Sequence, residues 1–319
     1  MSKKKQYEKK EETVKAYLER YYIFGVMENQ ATFGRYRREA RRRWPEWLDY
    51  MESVKAMREN FTEDEIKQLA KAKREPQTIV RRIRFEGTKF KFAHITDTHM
   101  GSTTFHEDIW DAVVKEINEQ NVDAVFHTGD VVEGLSLKRM DAVYDLTHVG
   151  YEKQKEYAIE KLSMIKPPIY AVSGNHDRYY LKSAGALIVE DIARSLEGFN
   201  YMGEDMGDYI IENGKRPITI RLWHGEDGSS YATSYRVQKI VESFTGGDKP
   251  NVLLMGHTHK QVYLFDRHIH CLSGGAVCTQ SNWMRSKRLA NHTGFHIVEM
   301  EFNERGVTKF SPTWYPMYE

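Results

Sequence analysis

Side chains that commonly bind metal ions follow apolar runs at five places in this chain. The first run ends in Asp97-Thr98-His99, and a carboxylate and an imidazole at that spacing can hold one cation from a single loop. Later runs end in Gly-Asp, Gly-Asn-His-Asp, His-Gly and Gly-His-Thr-His, which supply Asp130, Asn175, His176, Asp177, His224, His257 and His259. Because sites in α/β proteins form at the carboxyl ends of strands, we expect these side chains to meet in one metal site.

Glycines accompany these motifs, where the backbone has to turn sharply and approach an ion closely. They are Gly129, Gly174, Gly225 and Gly256. The other histidines, including His94 and His127, lack a motif, and we expect them to be inert hydrogen-bonded groups. The cysteines, Cys271 and Cys278, are assigned no role for the same reason.

The elements that must position these residues alternate between strand and helix from Lys91 onward. Apolar runs predict strands before each of the first three motifs, with helices between them, including a long helix over about 138–163 and another over 184–196. The later part is rich in strands. The pattern predicts an α/β fold in which a two-sheet β-sandwich is flanked by helices.

The motif series resembles the calcineurin-like metallophosphoesterases over about residues 90–303. The resemblance implies the metallophosphoesterase fold and two divalent metal ions. Asp97, His99, Asp130 and His259 would hold the first ion, and Asp130, Asn175, His224 and His257 would hold the second, so that Asp130 bridges them. The mixed oxygen and nitrogen ligands lack a thiolate. Mn²⁺ is the favoured metal, and Fe, Zn and Mg stay open.

The resemblance also implies a mechanism for phosphoester hydrolysis. Two ions about 3.5–4 Å apart can share a hydroxide that attacks phosphorus and can clamp the phosphate oxygens. His176 would contact the phosphate and protonate the leaving oxygen. Asp177 would orient His176, or would only cap its loop.

The N-terminal part of the chain is basic, unlike the rest. Residues 1–90 carry 23 Lys+Arg and 15 Asp+Glu, a net charge of +8, and the remainder carries 24 and 31, or −7, which together give the whole-chain +1. Apolar spacing predicts helices here, the second capped by Thr32 and broken near Pro45. We therefore divide the chain into a basic helical, helix-turn-helix-compatible module (1–75), a linker with an edge strand (76–90) and a metallophosphoesterase domain (91–319).

Two regions bear on the substrate. The arginine-rich helix and a loop at 273–288 could contact nucleic acid through Arg35, Arg38, Arg41, Arg42, Arg285, Lys287 and Arg288. That loop and the segment GDVVEGLSLKRM resemble the exonuclease subunits of archaeal family D DNA polymerases, and the double-strand-break repair nucleases share the metal motifs. The favoured hypothesis is a metal-dependent DNA nuclease or phosphodiesterase.

Other hypotheses stay open. The chain could be a phosphatase or small-nucleotide phosphodiesterase whose N-terminal helices cover the site or form a dimer, or a vestigial binding subunit. The N-terminal helices could equally be a solvated surface that packs on the body. No run reaches about 18 apolar residues, which predicts no membrane span. Two cysteines and the absence of a secretory pattern at the start predict a reducing, cytoplasmic setting.

Overall fold

The computed structural model describes residues 3–60, 62, 77–136, 141–213, 216–226 and 232–318, with the backbone alone at 3–10, 57 and 58. The chain divides into two compact units, Met1–Glu75 and Pro76–Glu319. The sequence also predicts a short helix that begins at Thr62, and its residues from 63 onward lie outside the described residues. The same is true of residues 137–140.

Three helices lie in the described part of the first unit, α1 (Lys3–Phe24), α2 (Gln30–Arg43) and α3 (Pro45–Asn60). Val14, Leu18, Tyr22, Ala40, Leu48 and Met51 form its buried core. The N-cap of α2 is Asn29 rather than Thr32, because Asn29 Oδ1 accepts a hydrogen bond from the Thr32 backbone N–H at 2.9 Å. The break between α2 and α3 falls at Trp44, since proline is favoured at the first position of a new helix.

The second unit contains two six-stranded sheets. Sheet one has the order β12-β11-β2-β3-β4-β5, and sheet two has the order β1-β6-β7-β8-β10-β9. The strands are β1 (Ile79–Arg84), β2 (Lys89–Ile95), β3 (Ala124–His127), β4 (Ile169–Val172), β5 (Phe199–Gly203), β6 (Met206–Glu212), β7 (Ile218–Trp223), β8 (Val252–Met255), β9 (Gln261–Asp266), β10 (Ile269–Gly274), β11 (Gly294–Asn303) and β12 (Gly306–Pro316).

Apolar residues from both sheets form one buried cluster, which places a core between them. Phe92 and Phe126 of sheet one contribute to it together with Leu222 and Leu254 of sheet two. Helices cover the other faces. They are α4 (Glu107–Glu119), α5 (Tyr151–Leu162), α6 (Arg178–Ala184), α7 (Ile188–Ser195), α8 (Tyr235–Ser243) and α9 (Asn282–Ser286). This architecture confirms the predicted two-sheet α/β sandwich flanked by helices.

Two predicted helices are shorter than expected. The stretch predicted over 138–163 contains a single 3₁₀ turn, Ala142–Asp145, and then α5, which begins only at Tyr151 after Gly150 at φ 99°. Backbone hydrogen bonds to Gly101 hold the segment between them in a loop. The helix predicted over 184–196 begins at Ile188, because Gly185 ends α6 in a left-handed conformation. Within the described residues, no helix is long and apolar enough to cross a membrane.

Candidate metal centre

The predicted ligands all lie just after the carboxyl ends of strands. Strands β2, β3 and β4 of sheet one run parallel, as do β7 and β8 of sheet two. Their ends therefore deliver side chains to one edge of the sandwich. Asp97 and His99 follow β2, Asp130 follows β3, Asn175 follows β4, His224 follows β7, and His257 and His259 follow β8.

One set of donor atoms, which we call position A, surrounds the end of β2. His99 Nε2 lies 3.9 Å from Asp97 Oδ1 and 3.7 Å from Asp130 Oδ2. His259 Nε2 lies 3.3 Å from Asp97 Oδ1 and 3.3 Å from His99 Nε2. These donors face one another at the spacing that the ligands of a single ion require, and all four side chains are largely buried.

A second set, position B, adjoins the first through Asp130. His224 Nε2 lies 3.3 Å from Asp130 Oδ2 and 3.0 Å from Asn175 Oδ1. Donor atoms of Asp130, His224 and His257 lie within 4.8 Å of one another. Because Asp130 Oδ2 takes part in both sets, the two positions share a carboxylate oxygen.

In three of these histidines the ring nitrogen that points away from the metal positions, Nδ1, lies against a hydrogen-bond acceptor. His99, His224 and His259 therefore each donate from Nδ1 and turn Nε2 inward, where it could bind a cation. The Nε2 atoms of His99 and His259 face each other at 3.3 Å, an approach that a cation between them would stabilise. The Nδ1 partners are Glu133 Oε2 at 2.8 Å, Thr128 O at 2.8 Å and Asn291 Oδ1 at 2.7 Å.

The charges of the site also favour bound cations. Burial opposes ionisation of Asp97 and Asp130, but the surrounding imidazoles outweigh burial and lower the pKa of both carboxyl groups. Burial opposes a charged His224, yet Asp130 raises its pKa to about 9, so a cation bound through this ring would have to displace its Nε2 proton. Burial and His224 lower the pKa of His257 to about 4, which leaves a neutral imidazole. The residues present thus fit a pair of divalent cations, with oxygen and nitrogen donors.

The backbone is strained at the ligands. Five of them adopt the left-handed conformation that non-glycine residues rarely use, at a cost of about 1–3 kcal/mol each. They are Asp97 (φ 50°), His99 (φ 49°), Asp130 (φ 54°), His257 (φ 69°) and His259 (φ 53°). Gly174 is required for a different reason, because a Cβ there would lie 2.2 Å from Asp130 Oδ1. The fold therefore accepts strain at the place where the donors converge.

His176 lies beside the metal centre and contacts Glu133 rather than Asp177. Its Nδ1 donates to the Glu133 carbonyl oxygen at 2.8 Å and lies 3.3 Å from Glu133 Oε1. Burial opposes the charged ring, but the carboxylates of Glu133 and Asp130 raise the pKa of His176 well above its ordinary value. Its ring is edge-on to that of His99, with centroids 4.6 Å apart.

The sequence left two roles open for Asp177, orienting His176 or capping its loop. In the structure Asp177 caps the loop. Its carboxylate accepts hydrogen bonds from the backbone N–H groups of Gly174 at 2.7 Å, Val132 at 2.9 Å and Val131 at 3.2 Å. Burial and the neighbouring Asp130 raise the pKa of Asp177 to about 6, although these hydrogen bonds act to lower it. The residue fixes the loop and has no contact with the His176 ring among those that the described residues make.

Sequence reasoning missed three residues that support the centre. Glu133 and Asn291 hold ligand histidines, and Cys278 Sγ lies 3.9 Å from His259 Nδ1. Glu133 follows the Gly-Asp motif by three residues, which is the one signal that could have indicated it. Asn291 and Cys278 come from a loop far along the chain, where no local pattern marks them.

A cavity of about 680 Å³ lies over both positions. Its lining includes Asp130, Asn175, His176, His257 and His259. Arg236 and Lys260 also line it, whereas the predicted nucleic-acid contacts Arg285, Lys287 and Arg288 are exposed and lie outside the lining.

The arginines of α2 have different surroundings. Arg41 forms ion pairs with Asp49 and Glu52 of α3, which occupy its guanidinium group. Arg35 lies over the Tyr36 ring at 5.0 Å, and Arg38 and Arg42 are also exposed. Three of the four predicted contacts in this unit therefore remain accessible, and the fourth is committed to an intrachain pairing.

The chain is similar in sequence to a known archaeal protein. The chain is 23% identical over 275 residues to the DNA polymerase II small subunit of Methanothermobacter thermautotrophicus, an alignment that covers 72% of this chain and 55% of that protein. The chain thus spans about half the length of that relative.

Among solved structures, a novel archaeal phosphodiesterase aligns with a TM-score of 0.44 and 17% identity, over 71% of this chain and 100% of its own. The Escherichia coli phosphoesterase YfcE aligns with a TM-score of 0.40 and 17% identity, over 70% and 98%. The sequence model of the calcineurin-like phosphoesterase family matches residues 90–261, a stretch that contains every predicted metal ligand. The chain belongs to the calcineurin-like phosphoesterase family.

Proposed function

We propose that this chain hydrolyses phosphodiester bonds in DNA with two divalent cations, for which Mn²⁺ is the favoured metal. The observation that carries the proposal is the convergence of seven donor side chains on two positions that share Asp130 Oδ2. Bound there, two cations supply a water nucleophile of lowered pKa and positive charge for the phosphate oxygens. Asp97, His99 and His259 would complete position A, and Asn175, His224 and His257 position B.

The residues around the cations would supply the proton for the leaving group and would hold the reacting side chains in position. A phosphorus–oxygen bond forms to water while the bond to the leaving alcohol breaks, and the leaving oxygen needs a proton. His176 would supply that proton, since carboxylates hold its ring in the charged form. Glu133 would orient His176 and His99 together. Asp177 would keep the loop that carries Asn175 and His176 in place.

Several features favour DNA as the substrate. The relative named above is a subunit of a DNA polymerase. Arg35, Arg38 and Arg42 are exposed on a basic helical unit, which we propose as a docking module, and guanidinium groups suit phosphate. The exposed cationic side chains at 285–288 directly follow, in sequence, residues 280–284, which line the cavity.

One assay separates the alternatives. The purified chain is incubated with Mn²⁺ and labelled single- and double-stranded DNA, beside bis-p-nitrophenyl phosphate and p-nitrophenyl phosphate. Release of nucleotides or fragments from DNA is the expected result. Turnover of the small esters alone would instead indicate a phosphatase or small-nucleotide phosphodiesterase. Bound metal without turnover of any substrate would indicate a vestigial binding subunit.

A further inference from the structure

A tryptophan lines the cavity without being covered. Trp283 belongs to α9, and its side chain is 52% exposed. A single exposed aromatic is common on a protein surface, but one that lines a cavity offers a flat apolar face to a molecule bound there. The neighbouring Met284 also lines the cavity but is only 8% exposed, so the indole is the more open of the two side chains.

The loop that carries Trp283 is anchored to the metal centre. At its start, the Val277 and Thr279 backbone N–H groups donate to the carbonyl oxygens of Thr96 and Thr104, each at 3.0 Å. At its end, Asn291 Oδ1 accepts from Nδ1 of His259 at 2.7 Å.

Inside the loop, two further contacts fix α9 itself. Gln280 Nε2 donates to Leu289 O at 2.6 Å, and Ser281 caps the helix by accepting from the Met284 N–H at 3.2 Å. Because the loop is tied at both ends and across its middle, the indole has a defined place relative to the metal donors.

The size and charge of the surroundings select a class of ligand. A cavity of about 680 Å³ has the volume that a nucleotide-sized molecule needs. Arg285, Lys287 and Arg288, which follow the indole in the chain, are exposed and give that edge of the loop a positive charge. An aromatic surface next to cations suits a polyanion whose units carry flat aromatic rings, which describes a nucleic acid strand better than a peptide.

We propose that Trp283 is a stacking platform for an unpaired nucleobase next to the phosphodiester that is cut. A base within a duplex has both faces covered by its neighbours, so it must leave the stack before it can lie on the indole. The platform thereby selects single strands or unpaired ends. This inference rests on the proposed phosphodiesterase function and adds the residue that recognises the substrate.

The test compares two esters with the same leaving group, thymidine 5′-(p-nitrophenyl phosphate) and methyl p-nitrophenyl phosphate, under Mn²⁺. Trp283→Ala should raise KM for the thymidine ester roughly 5- to 150-fold, the loss expected when one stacked base is released, and should leave the methyl ester unchanged. Trp283→Phe should recover most of the affinity. Phe265→Ala, which removes a similarly exposed aromatic (54%) on β9 outside the cavity lining, should alter neither ester.

A competition measurement in the same assay extends the test to strands. A thymidine octamer should inhibit methyl ester hydrolysis more strongly than a base-free octamer of the same backbone, and Trp283→Ala should remove most of that difference. Equal KM values for wild type and Trp283→Ala on the thymidine ester, or equal losses on both esters, would overturn the platform. Failure of the wild type to hydrolyse both esters and DNA would overturn the proposed function itself, which separates that outcome from a failure of the platform alone.

Discussion

Glu133 Oε2 accepts a hydrogen bond from His99 Nδ1 at 2.8 Å, and the same carboxylate lies 3.3 Å from His176 Nδ1. One side chain therefore orients a metal ligand and holds the charge of the neighbouring cavity histidine. Burial opposes ionisation of Glu133, but His176 and His99 outweigh it and lower the pKa of the carboxyl group. Glu133 thus couples the candidate metal centre to His176, the proposed proton donor, although Glu133 itself has neither role.

Glu133→Gln should weaken metal binding or turnover about 10- to 100-fold, because the amide keeps the shape but loses the charge that fixes the two rings. Metal titration followed by calorimetry, with kcat measured at saturating metal, checks this. Glu299→Gln on β11 provides an exposed carboxylate as control. Metal affinity and kcat both equal to wild type would show that Glu133 is dispensable.

His176→Ala should leave metal binding intact and lower kcat about 10²- to 10⁴-fold on DNA. The loss should be smaller on p-nitrophenyl esters, whose leaving group needs no proton. His268→Ala, a surface histidine, is the matched control. Loss of bound metal in His176→Ala would make the residue a ligand, and equal losses on both kinds of ester would remove its role as an acid.

Arg35, Arg38 and Arg42 changed together to alanine should weaken DNA binding and flatten its dependence on salt, since a protein that neutralises fewer phosphates releases fewer counterions when it binds. Hydrolysis of small esters should not change. Fluorescence anisotropy at several salt concentrations measures the slope. Arg41→Ala is the contrast, because its guanidinium is already paired with α3. An unchanged slope in the triple variant would refute a DNA-docking role for α2.

Asp208 and Arg221 form a bidentate pair inside sheet two, with distances of 2.8 and 2.9 Å. Removal of Asp208 leaves the buried Arg221 guanidinium with the exposed Asp248 at 3.0 Å as partial compensation, so the cost falls toward the lower end of the about 3–5 kcal/mol that breaking a buried pair typically takes. Asp208→Ala should therefore lower the free energy of unfolding by about that amount, measured by urea denaturation. Lys309→Ala, which breaks an exposed pair with Glu301, should cost well under about 1 kcal/mol. Equal losses in the two variants would contradict the burial argument.

His296 should make the protein less stable as pH falls. Burial lowers its pKa from 6.5 to about 3, so between these values the unfolded chain binds a proton that the folded chain does not. The free energy of unfolding then falls by about 1.4 kcal/mol per pH unit below 6.5. His296→Gln should shrink the stability difference between pH 7 and pH 5 by about 2 kcal/mol. The same difference in both proteins would show that His296 titrates normally.

The sequence predicted the sandwich and the ligand-bearing strand ends, because packing alone rarely places a donor motif after each of several successive apolar runs. Glu133 was missed although it lies three residues after the Gly-Asp motif, because its contact with His99 arises where two loops meet in space. It also left open the role of Asp177, since adjacent residues in a tight loop turn to different partners. The long helix expected over 138–163 was wrong because Ser102 and Leu146 pair as a bridge and hold that segment in a loop.

The most direct test of the account is the number of Mn²⁺ ions that one chain binds, measured by equilibrium dialysis and metal analysis on wild type and Asp130→Asn. The shared oxygen of Asp130 predicts two ions per wild-type chain and a weakening at both positions in the variant. One ion per wild-type chain, or the loss of a single ion in Asp130→Asn with the other bound as tightly as before, would contradict a centre of two cations that share this carboxylate.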